Sequence, residues 1–212
     1  YLINFLDTFI YNKIYYLNKN ILFHETEKSF HLFKKITNYK SYNKLNLNNL
    51  HQFIEPLVKI QKNNSKFITL NIGAGQSWKK WDVNKFIELG NYISSKTKLT
   101  AIYLGTKIDY KSINNSKIKI NDKSINMCGK TNLNEYFSYI NNSEFSICND
   151  SSAIHLSILL NKKTICIKSE FASDTWYPYP EIVKKKKWKV IKHKNLKNIS
   201  VNSVLEKIDD WI

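Results

Sequence analysis

From residue 66 onward, short apolar runs alternate with stretches whose apolar positions recur every three or four residues. Residues 67–72 form the first run, and Val83, Phe86, Ile87, Gly90 and Ile93 follow at helical spacing behind Asp82, a candidate helix cap. Residues 99–104 make a second run, followed by a short polar helical piece. Residues 125–128 make a third, with Leu133, Phe137 and Ile140 at helical spacing behind it. Residues 145–148 are a fourth strand that breaks at Asn149-Asp150-Ser151-Ser152 into a helix from Ser151, and residues 164–167 are a fifth. Residues 188–191 add a strand, and Val201, Val204, Leu205, Ile208 and Ile212 mark a closing helix with Ser200 as its cap. Strands that are apolar throughout, separated by one-sided helices, suit a sheet covered on both faces. The predicted fold is α/β: a Rossmann-like, doubly wound parallel sheet over residues 63–198, closed by a carboxyl-terminal helix over residues 199–212.

Residues 1–62 have no such alternation. They are rich in Tyr, Phe, Asn and Lys, with Phe30, Phe33 and Ile36 at helical spacing. They read as helices and a linker that pack on something else. The chain starts at Tyr1, so the expectation is an excerpt of a longer protein. No apolar run approaches the roughly 18 residues of a membrane span, which predicts a cytoplasmic protein.

Composition sharpens this picture in two places. The formal net charge is +16, yet all 33 basic residues are Lys. Arg is the residue suited to bidentate phosphate and base contacts, so its absence argues against a specific nucleic-acid partner. Eight Lys and no acid fall between Lys184 and Lys197. Such a run fits a solvated edge, or contact of Lys184, Lys185, Lys186 and Lys187 with anionic lipid at the inner face of the plasma membrane or with an anionic glycan. Cys128, Cys148 and Cys166 are odd in number and match no metal or redox spacing, which predicts buried, reduced thiols.

Three segments carry candidate chemistry, each directly after a strand. The first is Asn71-Ile72-Gly73-Ala74-Gly75-Gln76-Ser77-Trp78-Lys79-Lys80-Trp81, where two glycines allow positive φ or close approach of a ligand and Lys79 supplies a point charge for phosphate. It lacks the full dinucleotide and P-loop signatures, and an ordinary strand-to-helix turn explains it equally well. The second is Gly129-Lys130-Thr131-Asn132-Leu133, a turn into a helix whose backbone would border the same crevice and lie against a nucleotide base. The third is Asp150-Ser151-Ser152-Ala153-Ile154-His155. A helix starting there aims unpaired N–H groups and a positive dipole end at a bound anion. Asp150 is either the cap of that helix or a partner for sugar hydroxyls. His155 is on the same helical face as Ser151 and Ser152, as a buried hydrogen-bonder or a ligand contact.

Taken in order, these segments resemble glycosyltransferase family 9, the heptosyltransferase-like enzymes of bacterial lipopolysaccharide synthesis. The family carries a G-A-S turn followed by K-x-W, then G-K-T/S-x-L, then D-T/S-G-x-x-H-x-A. The likeness covers about residues 64–212; Tyr177-Pro178-Tyr179-Pro180 resembles the family's loop after its fifth strand, and His24-Glu25 the end of its amino-terminal domain. It implies the carboxyl-terminal, donor-binding half of a GT-B enzyme, with residues 1–62 as the helical end of the acceptor domain and a linker. By the same resemblance Lys79 contacts donor phosphate and the Ser151, Ser152 and Ala153 amides bind the diphosphate. Asp150 then touches the donor sugar, and Thr131 with its neighbours borders the base.

The implied activity is inverting, metal-independent transfer of heptose or a related hexose from a nucleotide-diphosphate sugar to a lipopolysaccharide-type acceptor, with no cofactor. Two positions depart from the pattern: Ser152 replaces a glycine, and Lys107 stands where some members carry an acid for the ribose. The family's general base is near the start of its amino-terminal domain and no residue here matches it, so the expectation is a chain without the catalytic base. Two other readings stay open: a non-catalytic, Lys-rich module for anionic surfaces, and a GT-B nucleotide-sugar epimerase.

Overall fold

The computed structural model describes residues 66–173 and 187–212. The segment 1–62, with His24 and Glu25, the stretch from Tyr177 to Pro180, and Lys184, Lys185 and Lys186 lie outside the described residues. Six strands form one sheet: β1 (Phe67–Asn71), β2 (Thr100–Leu104), β3 (Ser124–Asn126), β4 (Ser146–Asn149), β5 (Thr164–Ser169) and β6 (Trp188–His193). Their order is β3-β2-β1-β4-β5-β6, with every neighbouring pair parallel. Among the described residues, five α-helices connect or close them: α1 (Val83–Lys96), α2 (Lys107–Asn114), α3 (Leu133–Asn142), α4 (Ser152–Leu159) and α5 (Val201–Ile208).

Successive side chains of a strand point to opposite faces, so each strand feeds two cores. Ile68, Leu70, Ala101, Tyr103, Phe145, Ile147, Ile165 and Ile167 pack with Phe86, Ile87, Leu89 and Ile93 of α1, Ile113 of α2 and Val201, Val204 and Ile208 of α5. Ile102 and Leu104 pack on the other face with Ile140 of α3 and Leu156 and Leu160. The sheet is doubly wound, as the alternation predicted. The chain winds outward from β1 through β2 to β3 and then returns to place β4 on the other side of β1. The crevice at the carboxyl ends of β1 and β4 is therefore the switch point where such sheets take ligands.

The predicted caps at Asp82 and Ser200 hold: the Asp82 carboxylate accepts from the Asn84 amide at 2.8 Å and the Ser200 hydroxyl from the Ser203 amide at 3.1 Å. Other boundaries move. The third strand is Ser124–Asn126 rather than 125–128, and Cys128 is buried in the turn after it. The closing helix stops at Ile208, and Ile212 is exposed instead of joining its apolar face. A 3-10 turn at Asp209–Trp211 follows, in which the Trp211 ring packs 5.6 Å from Phe145 and Asp210 pairs with Lys189 at 2.6 Å. Continuing the helix would forfeit both contacts. The three cysteines are free and buried, with Cys148 opposite Cys166 in the β4–β5 register. Among the described residues, no helix is long and apolar enough to cross a membrane.

Candidate functional site

The site is built on the carboxyl ends of β1, β2 and β4. Asn149 ends β4 and is fully buried; its side-chain amide donates to the Ile72 carbonyl at 2.8 Å and its oxygen accepts from the Trp81 amide at 2.9 Å. One side chain thus clamps both ends of the loop after β1. Trp81 is further fixed by its indole N–H, which donates to the Ile199 carbonyl at 3.0 Å, and by an edge contact with Phe86 at 4.9 Å. The 3-10 turn Ser77–Lys79 directly before it is therefore held in place. From there Lys79 reaches across the crevice, and its Nζ lies 3.0 Å from Oδ2 of Asp150, which is 8% exposed. The Trp78 ring, exposed at the mouth of the loop, stands 5.3 Å from the same ammonium.

Asp150 is not the cap of α4. That position belongs to Ser151, whose hydroxyl accepts from the Ala153 amide at 3.4 Å. The Asp150 backbone N–H is taken up by the Ile167 carbonyl at 3.1 Å, and its carboxylate turns to Lys79. Ser152 is exposed at the first position of the helix, Ala153 is buried behind it, and His155 is half-buried at the end of the first turn. Asp150, paired with Lys79, directly precedes the N-cap of α4, the positive end of that helix's dipole.

A second lysine–aspartate pair, which the sequence reading did not single out, braces the loop from the other side. Lys80 Nζ lies 2.8 Å from Oδ1 of Asp109, which is 3% exposed. Oδ2 of Asp109 accepts from both the amide and the hydroxyl of Thr106 at 2.8 Å. Burial alone would raise this carboxyl, but the hydrogen bonds from Lys80 and Thr106 hold it below the usual carboxylate range. A Cβ on Gly73 or on Gly105 would meet Oδ2 of Asp109 at 2.9 Å. That contact, not positive φ, accounts for the glycine at 73. At Gly75 a Cβ would meet nothing within 4 Å, so that position opens onto free space. The missed signal was local: Thr106 and Asp109 form a capping box at the start of α2.

The second of the three segments, Gly129 to Leu133, follows β3 at the edge of the sheet. β3 is separated from β4 by β2 and β1, so Gly129, Thr131 and Leu133 do not neighbour the α4 turn. At about 4.8 Å per strand, the Gly129 turn is three spacings, roughly 14 Å, across the top of the sheet. The return of the chain after β3 causes this separation. Gly129 has φ of 68° and donates its N–H to the Gly105 carbonyl at 2.8 Å. A Cβ there would meet the Lys107 backbone nitrogen at 2.9 Å. Thr131 is half-buried, and Leu133, 66% exposed, opens α3 behind its cap Asn132. We expect Gly129→Ala to lower stability by about 2 kcal/mol or more, since it combines left-handed strain with that backbone clash. Urea denaturation checks this; a loss under about 0.5 kcal/mol would show that the turn relaxes freely.

Comparison with known proteins bears on the family and the fold. The model of the family described as glycosyltransferase family 9 (heptosyltransferase) matches residues 7–206. No curated protein sequence matches the chain. Among solved structures, Escherichia coli heptosyltransferase WaaC with ADP shares 13% identity at a TM-score of 0.71, over 95% of this chain and 60% of that one. A family 9 glycosyltransferase from Veillonella parvula shares 15% at 0.66, over 93% and 62%. The E. coli ADP-heptose lipopolysaccharide heptosyltransferase II shares 18% at 0.61, over 81% and 52%. At such identities the likeness is one of fold, and the chain spans between 52% and 62% of the length of these proteins. With the family match running over nearly all of its length, the chain belongs to glycosyltransferase family 9.

Proposed function

We propose that the crevice above β1 and β4 holds the diphosphate of a nucleotide sugar, as the donor site of a glycosyltransferase. The observation that carries the reading is the convergence of Lys79, Asp150 and the amino end of α4 on one point, over a loop clamped by Asn149 and Trp81. A diphosphate there gains the lysine charge and the helix-end N–H groups, and Ser152, exposed at the first position of α4, leaves it room. Asp150, too close for comfort to phosphate, faces the sugar and accepts from its hydroxyls. The Gly129 turn, with Thr131 and Leu133, extends along the same end of the sheet toward the ribose and base.

The reaction that suits this site is transfer of heptose or a related hexose with inversion to a lipopolysaccharide-type acceptor. When the glycosidic bond breaks, negative charge grows on the leaving diphosphate. Lys79 and the positive end of the α4 dipole face it, which stabilises that charge without a metal ion or cofactor. The neighbouring solved structures, one with ADP and another with ADP-2-deoxy-2-fluoro heptose, make ADP-heptose the natural first probe. Calorimetric titration of the chain with ADP-heptose, and with UDP and GDP sugars in parallel, tests the reading. Saturable binding of at least one is expected. Failure of all to bind, with the protein folded by circular dichroism, would defeat it.

A further inference from the structure

We infer that Asp150 makes this site distinguish a sugar-bearing donor from the spent nucleoside diphosphate, an inference that rests on the reading of the crevice as a diphosphate-sugar cradle. The carboxylate is nearly buried, is not consumed by capping α4, and has Lys79 as a resident counter-ion at 3.0 Å. Its backbone is pinned to β5 through the Ile167 carbonyl, so the group has little freedom to swing away. Lys79, by contrast, is 28% exposed on a long flexible stem. An arriving diphosphate therefore competes with Asp150 for the Lys79 ammonium.

What compensates Asp150 in that competition differs between substrate and product. A sugar presents hydroxyls that donate to the carboxylate and replace the lysine it shares. A free nucleoside diphosphate presents none, and it carries an additional negative charge, since the second ionisation of a terminal phosphate lies at about pH 6. Like charges held close in a poorly solvated site repel strongly. Once the sugar has left, Asp150 has lost those hydroxyl donors beside a more highly charged group, and reclaiming Lys79 favours release of the product.

The test is to titrate the 212-residue chain and its Asp150→Asn variant with ADP and with ADP-heptose at pH 7.5. Neutralising the carboxylate should tighten ADP about tenfold and weaken ADP-heptose about tenfold, moving the ratio of the two about a hundredfold. A second variant, Asp150→Ser, should shift ADP in the same direction; changes of opposite sign for two ligands cannot come from a partly unfolded sample. If wild type binds both and the variants weaken both, or leave ADP unchanged, the discrimination is overturned and the cradle stands. If wild type binds neither, the cradle itself is overturned, and this inference with it.

Discussion

Replacing Lys79 with Met should cut affinity for a nucleotide-diphosphate sugar by at least about 100-fold, as two losses combine. The variant removes the cation that faces the diphosphate. It also strands the Asp150 carboxylate, 8% exposed and until then paired at 3.0 Å, directly beside an incoming anion. The fold should survive, because Lys79 is on a surface turn whose anchors are Asn149 and Trp81. Lys163→Met, at the opposite end of the sheet, serves as a charge-matched control and should leave affinity within about twofold, as expected of an exposed lysine remote from the site. Isothermal titration calorimetry reads both. Equal losses from the two variants would mean that net charge, not the crevice, attracts the ligand.

The largest effect on stability should come from Asp109→Leu. This carboxylate is 3% exposed and accepts from Lys80 and twice from Thr106, so its removal leaves the Thr106 amide and the Lys80 ammonium without their partner. Lys80 is one-third exposed and recovers some solvation, so a loss of about 2–3 kcal/mol is expected rather than the larger figure for a fully buried pair. The pH dependence has a definite sign. The folded-state pKa of Asp109 is depressed below its unfolded value, so its contribution is fully present above about pH 4 and is lost as pH falls through the folded value. The difference in stability between wild type and variant should accordingly be flat from pH 5 to 8 and shrink in more acidic solution. A difference that grew on acidification would contradict the assigned ion pair.

The sheet was legible because its signals are local. Strands buried on both faces read as unbroken apolar runs, and the i, i+3, i+4 faces of α1 and α5 place most of their buried residues without any knowledge of partners, whereas on α3 only Ile140 of the expected face is buried. The placement of the three segments was legible for the same reason, since each follows a strand directly. What escaped was everything that joins residues distant in sequence. Lys79 and Asp150 are 71 positions apart, Lys80 and Asp109 are 29 apart, and Asn149 reaches back 77 positions to Ile72. Asp150 read equally well as a helix cap or as a partner for sugar hydroxyls, and only the structure shows Ser151 as the cap and the carboxylate turned toward lysine. The glycines show a related limit. Composition marks Gly73, Gly75 and Gly129 alike, yet one yields to a carboxylate, one faces open space and one adopts positive φ against the Lys107 backbone. The position of Gly129 relative to the α4 turn depended on strand order, which the order of segments along the chain does not fix.

The central claim is that a nucleotide sugar binds where Lys79, Asp150 and the amino end of α4 meet. Amide chemical-shift mapping of the 15N-labelled chain during titration with ADP-heptose tests it most directly. The predicted result is that the strongest perturbations fall on residues 73–81 and 150–153, with a second group around Gly129 to Leu133. Perturbations confined to Lys187 to Lys194, with the crevice residues unmoved, would contradict it.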